Sequence, residues 1–299
     1  MSWNNWGRMA GWSLPLIMAT GVVHATEGGG SIYPNGVENY VAGALPPPGI
    51  YGLLYGNVYS ADQVRDNDGR NVASPDFKVR VNVLAARLAW IPGVHFLGGD
   101  LVLHTIVPMV DLSVSAGGAR QRKTGIGDIT VGAGIGWHHN ADWHSVAALN
   151  LFLPTGSYDK HDLANVGRNH YATQATYAIT RVSPNGLNLD AKLNYTINSR
   201  NHATGYRSGH EFAVDYAAGW GVSPHWVLGV GGYGLIQTTD DRSHGSVVPS
   251  NRARAFAIGP SIKYDSGKGW FLTAKWENEI YVRNRAKGSG LWIKAVFPL

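Results

Sequence analysis

Leu187-Asn188-Leu189-Asp190-Ala191-Lys192-Leu193-Asn194-Tyr195-Thr196-Ile197 is the run whose reading decides the fold. Its odd positions are apolar or aromatic and its even positions are polar, without exception. Successive side chains of an extended strand point to opposite faces, so this period of two describes a strand with one apolar and one polar face. A strand of a soluble sandwich reads the same way. Repetition, strand length and tryptophan placement separate the two readings.

The same alternation recurs along the chain, near 49–60, 77–91, 100–114, 125–137, 143–153, 170–181, 187–198, 208–222, 226–237, 252–264, 270–281 and 289–299. Each run has about ten residues or more, the length a tilted strand needs to cross a bilayer. The connectors alternate in length. Those at 138–142, 182–186, 223–225 and 265–269 are short, with 92–99 somewhat longer. Those at 61–76, 115–124, 154–169, 199–207, 238–251 and 282–288 are longer and more polar. Short periplasmic turns and long outer loops are the habit of outer-membrane barrels. The expected fold is all-β: a single antiparallel transmembrane β-barrel over 49–299, with about twelve strands. An even count predicts that both termini are periplasmic.

Composition agrees. Charged residues make up 15% of the 299-residue chain, where a soluble domain carries about a quarter. Mean hydropathy is only −0.13, and no run after residue 25 is long and apolar enough to span as a helix. A barrel needs apolar residues at only every second position, which reconciles a membrane wall with this low hydropathy. The absence of cysteine excludes disulfides and thiolate metal sites. The formal charge of +5 is dispersed, with no basic run of the kind that binds nucleic acid, so no nucleic-acid partner is expected.

At the N-terminus, Arg8 precedes an apolar stretch from Trp12 to Val23, and Val23-His24-Ala25 provides a processing site. This predicts a signal peptide over 1–25. A Gly/Pro-rich segment follows over 26–48, a periplasmic lead or a lumen cap. Residues 26–37 read as a loose lead, because their composition cannot build a core. Residues 38–48 read as an ordered cap stiffened by three prolines.

Beyond residue 25 the tryptophans favour the membrane reading. Trp90, Trp137, Trp143, Trp220, Trp226 and Trp270 all lie beside short turns. Together they predict a belt at the inner interface, where an indole buries its ring and keeps its N–H near headgroups. The last strand carries Leu291, Ile293, Ala295, Phe297 and Leu299 on one face, the type of segment that barrel-assembly machinery recognises.

Alternation also assigns a lumen face. The expected lumen-lining residues are Lys78, Arg80, Asn82, Asp128, Thr130, Asn150, Asp190 and Lys192. Further along they are Glu211, Asp215, Tyr233, Gln237, Lys275, Glu277, Trp292 and Lys294. Charges facing lipid near the midplane would cost about 2–4 kcal/mol each, so the polar face is turned inward. These groups either brace the wall as ion pairs or line a solute path. Twelve strands lie between the roughly eight that side chains can fill and the roughly sixteen that leave an open channel, which predicts a narrow or partly blocked lumen.

Several segments, taken in order, carry a family likeness. They are Ala44-Leu45-Pro46-Pro47-Pro48-Gly49, Thr124-Gly125-Ile126-Gly127-Asp128, Leu153-Pro154-Thr155-Gly156-Ser157-Tyr158, Thr204-Gly205-Tyr206-Arg207-Ser208-Gly209, Ala257-Ile258-Gly259-Pro260 and Arg283-Asn284-Arg285-Ala286-Lys287-Gly288. Over residues 38–299 the chain resembles the outer-membrane family named for the meta-pathway of phenol degradation. The resemblance implies a transporter associated with aromatic-compound catabolism, and it offers no catalytic residues to carry over. The expected partners are outer-membrane lipid, a small hydrophobic or aromatic solute, and the assembly machinery during biogenesis.

Other motifs lose on context. Gly229-Val230-Gly231-Gly232-Tyr233-Gly234 matches the dinucleotide fingerprint by letter but lies inside a strand with no helix after it. His138, His139 and His144 cluster at a turn without a supporting carboxylate motif, and Asp66-Asn67-Asp68-Gly69 lacks the closing Glu of a calcium loop. No metal and no cofactor are expected. The chain is read as a channel and not an enzyme. The alternatives are a barrel-embedded lipid hydrolase using Ser208 and His210, two apart on one strand face, and a purely structural barrel.

Overall fold

The computed structural model describes residues 27–299, so the expected signal over 1–25 lies outside the described residues. The twelve expected strands all form. They are β1 (Gly49–Arg65), β2 (Lys78–Ile91), β3 (Gly99–Ala116), β4 in two arms (Ala119–Ile126 and Ile129–His138), β5 (Trp143–Leu153) and β6 (Ala172–Arg181). They continue as β7 (Leu187–Asn198), β8 (Glu211–Ser223), β9 (Trp226–Gln237), β10 (Arg254–Asp265), β11 (Phe271–Arg283) and β12 (Arg285–Pro298). Each strand pairs antiparallel with its sequence neighbours, and β12 closes on β1 from Tyr51↔Pro298 to Arg65↔Arg285. Among the described residues closure leaves no unpaired edge in the ring itself, which a bilayer requires because it offers backbone groups no partner, and only the protruding arm Ala119–Ile126 pairs on one side alone.

Two expected outer loops are strand instead. Residues 115–124 form a hairpin whose turn residues, Gly117 (φ 60°) and Gly118 (φ 82°), adopt the left-handed backbone of a two-residue turn. At 282–288 only Asn284 (φ 54°) separates β11 from β12. Strand that rises beyond the bilayer has water on both sides, so its side chains lose the period of two by which strands were recognised.

The same physics corrects the inward assignment of Lys78, Arg80 and Asn82. On β2 the lumen face is Val79, Val81, Val83, Ala85, Arg87, Ala89 and Ile91, while Lys78, Arg80 and Asn82 are exposed on the outside. Polar residues must face inward only at lipid depth, and these three lie above it. The result is an unusual pair of strands. In mid-barrel β2 and β3 are largely apolar on both faces, with Leu84, Leu88, Leu103 and Val107 outside and Val83, Ala85, Ile106 and Pro108 inside, and Arg87 and His104 as the inward exceptions.

The six tryptophans Trp90, Trp137, Trp143, Trp220, Trp226 and Trp270 lie at the short-turn end. Tyr264 joins them, its ring centroid 4.7 Å from Trp226 and 5.7 Å from Trp270. The Trp137 indole N–H donates to the Leu97 carbonyl at 3.0 Å.

Residues 27–48 thread the lumen from end to end. Glu27 sits among the long loops: its backbone N–H donates to the Ser208 hydroxyl, and its carboxylate accepts from Tyr158 and Asn201. At the other end the Tyr51 hydroxyl bonds the Pro47 carbonyl, and Leu299 N–H bonds the Ile50 carbonyl. An even strand count does bring the two ends of the barrel together, but the lead then runs back through the lumen. Glu27, the first described residue, and Leu299 therefore lie at opposite ends of the barrel. The segment expected to be loose, 26–37, is ordered from Glu27 onward because its polar groups meet charged partners on the wall.

Candidate functional site: the lumen segment and the corridor beside it

Small inward residues on β8, β9 and β10 make room for the segment: Ala213, Ala217 and Gly219, Gly229 and Gly231, and Ala255 and Ala257. A Cβ at Gly219 or Gly229 would collide with the Tyr40 hydroxyl. The glycine run that mimics a dinucleotide motif is therefore part of the surface on which the segment lies.

Charged groups fasten the segment to that surface. Asp215 accepts from the Tyr33 hydroxyl at 2.5 Å and from the Gly36 and Glu38 N–H groups at 2.7 and 3.1 Å. Asp190 accepts from Ala42 N–H at 2.9 Å, and Glu211 from the Ser31 hydroxyl at 2.7 Å. Lys275 donates to the Glu38 carbonyl at 2.7 Å and pairs with Glu277 at 2.8 Å. The Glu38 carboxylate is the hub of the site. Lys294 lies 2.9 Å away, Lys192 3.7 Å and Arg87 3.8 Å, and the Tyr55 hydroxyl donates to it at 3.2 Å. It gathers β12, β7, β2 and β1 onto one buried anion, whose many partners satisfy the requirement that a buried charge be paired.

The remaining expected residues brace the wall or the mouth. Tyr233 donates to Glu279. Asn150 donates to Gln174 and Thr176 and meets His104 at 3.0 Å. Asp128 holds the inner fold of the 154–171 loop, accepting from Gly156 N–H at 2.9 Å and Arg168 N–H at 2.7 Å. Gln237 bonds Asp241 at 2.7 Å in the outer loops. Burial pushes the Asp241 carboxyl up to about 6, although Tyr206, Gly209 and Asn251 also donate to it. Its neutral form is the one favoured by folding, so that contribution to loop stability is full below the ordinary Asp range and fades as pH rises through about 6.

Glu38, Arg87, His104, Glu279 and Arg285 belong to the lumen and were missing from the sequence reading. A signal existed for two of them. Glu38 is the sole acid between Glu27 and Asp62, and Arg87 is the sole charge in the lower part of β2.

The segment fills one side of the lumen and leaves a corridor along β1–β6. Two cavities of about 280 Å³ each make it up. The outer one reaches Asn165 and Arg168 of the 154–171 loop, and the inner one reaches Trp270 at the opposite end. They meet at Glu38, Arg87 and His104, which both cavities share. The outer wall of the corridor is apolar, with Val81, Val83, Ile106, Pro108, Val110 and Leu112 facing inward. Opposite them lie Ile32, Pro34 and Val37 of the segment.

The hydrolase alternative does not assemble. Ser208 is buried against Glu27, whereas the His210 ring meets Tyr195 on the exposed side of the wall. Among the described residues no group of His, Asp and Glu is placed to hold a metal ion.

A closed barrel of twelve antiparallel strands, apolar outside and with cavities along its lumen, has the fold of outer-membrane channels. The sequence model of the family described as "Putative MetA-pathway of phenol degradation" matches residues 61–295, and the chain belongs to that family. Its structure is similar to that of an outer membrane channel from Pseudomonas putida F1, with a TM-score of 0.78 and 21% identity over 88% of this chain and 100% of the other. It is also similar to the transport unit of the autotransporter AIDA-I from Escherichia coli, with a TM-score of 0.50 and 10% identity over 89% and 94% of the two chains. At these identities the likeness is one of fold. No curated protein matches the sequence. The fold and its neighbours place the protein in the bacterial outer membrane.

Proposed function

We propose that the channel admits small, mainly apolar solutes, single-ring aromatic compounds foremost, along the β1–β6 side of the lumen segment. The observation that carries this reading is the inward apolar wall of β2 and β3, where Val81, Val83, Ala85, Ile106, Pro108, Val110 and Leu112 face the lumen in one continuous patch. Binding sites for small molecules are apolar clefts with a few placed polar groups, which describes this wall beside Asn150, Gln174 and Thr176. A dry apolar cavity of about 150 Å³ accepts benzene, so each half of the corridor is large enough for one ring. The family description points to the same class of solute. The mixed charges at the junction make the passage narrow and unwelcoming to an unpaired ion.

The test is solute entry into proteoliposomes that hold the refolded protein. Val83→Asp and Val110→Asp place an unpartnered carboxylate on the corridor wall. Each should slow phenol and toluene entry on the order of tenfold, because a solute must pass beside a hydrated charge. Equal entry through wild type and both variants would rule the corridor out as the route.

A further inference from the structure

The outer surface of β1–β4 changes character within three rows of residues. The row Gly56–Leu84–Met109–Ile126 is apolar. The next row toward the long loops is Val58–Asn82–Asp111–Thr124. Above it come Ser60–Arg80–Ser113–Arg122 and then Lys78–Ser115–Arg120. Lys78, Arg80, Arg120 and Arg122 are exposed, and Lys78 and Arg80 have no ion-pair partner among the described residues. Asp111 accepts two hydrogen bonds of 2.8 Å from Arg122, one from Thr124 and one from Asn82, which fixes the guanidinium at the edge of the apolar band.

Directly below these groups lies a groove of about 370 Å³ on the lipid side. Its walls are Val58, Leu84, Met109, Leu291 and Ile293, with Asn82, Thr124 and the Arg122-paired Asp111 at its upper rim, and its floor is Gly56, where a Cβ would meet nothing within 4 Å. A missing side chain thus opens a slot two rows below Arg80 and Arg122 and three below Lys78. We propose that this is a binding site for a phosphorylated lipid of the outer leaflet, lipid A. One acyl chain lies in the slot over Gly56, and a headgroup phosphate rests on Arg80, Lys78 and Arg122. Charge complementarity and position select this occupant: the cations stand at headgroup level at the long-loop end, where the facing leaflet is anionic. Exposed basic residues near an anionic surface contribute additively, whereas the slot is specific for a chain.

The experiment is native mass spectrometry of the purified full chain titrated with bis-phosphorylated lipid A, its mono-phosphorylated form and phosphatidylglycerol. Wild type should bind the bis-phosphorylated lipid best. The Lys78→Ser/Arg80→Ser double variant should lose on the order of tenfold in affinity, and the mono-phosphorylated lipid should fall between. Gly56→Leu fills the slot and keeps every cation, so it should also weaken binding, and equally for both lipid A forms. Heat-dependent gel mobility reports that each variant is folded. Solute entry should be unchanged in all of them, which keeps this result separate from the corridor test. Affinity within about twofold of wild type for either variant, or equal binding of phosphatidylglycerol, would overturn the proposal.

Discussion

Removal of residues 27–46 is expected to raise single-channel conductance at least about fivefold and to let hydrophilic solutes enter, because a twelve-strand wall without its filling leaves an aqueous passage. The wall itself should persist, since its ladder is continuous from β1 around to β12 without help from the segment. Inward Ala and Gly residues on β8–β10 would then face water instead of Tyr33 and Tyr40. Asp190, Asp215 and Lys275 would exchange segment hydrogen bonds for hydration. Selectivity should shift with conductance, because the apolar wall of β2 and β3 would no longer be opposed by Ile32, Pro34 and Val37. Planar-bilayer recordings of the shortened protein check this, and unchanged conductance would mean that the segment does not limit the passage.

Substitution Glu38→Gln should be the most damaging single change in the lumen. It leaves Lys294, Lys192 and Arg87 around a neutral amide. Truncating one partner of a buried ion pair costs about 3–5 kcal/mol, since the charge left behind has lost its hydration and gained nothing. At about 2–4 °C per kcal/mol for a chain of this class, the temperature of the heat-dependent gel shift should fall by roughly 10 °C. Adding Lys294→Met removes the nearest orphaned cation and should restore part of the loss, a coupling that only a direct interaction produces. A fall of less than about 2 °C would show that Glu38 is not the hub its contacts describe.

The wall was legible because lipid on one side and water on the other imprint a period of two. The run 187–197 shows it without exception, and Asp190 and Lys192 were placed inward from it alone. The rule failed where its cause was absent. Above the bilayer both faces are wet, so alternation misdirects Lys78 and Arg80 and does not mark the two ribbons as strand. Around Val83, Ala85, Ile106 and Pro108 both faces of β2 and β3 are apolar, so alternation carries no direction there, and the corridor leaves no mark in the sequence for that reason. The lumen segment was hidden differently. Its residues lack a core-forming pattern because its partners are charges supplied by distant strands: Glu38 is 256 positions from Lys294.

That long separation bears on how the molecule comes to be closed. The β1–β12 seam joins the two ends of the barrel sequence, and the cation that faces Glu38 most closely sits on the last strand. A chain that zipped this seam first would have to feed residues 27–48 through a finished ring, past Tyr55, Trp292 and Lys294. Contacts so distant in sequence form late, after much loop-closure entropy has been lost. A sheet that curls around its own leader before β12 meets β1 would avoid that threading, and the last strand would then shut the ring with the leader already inside.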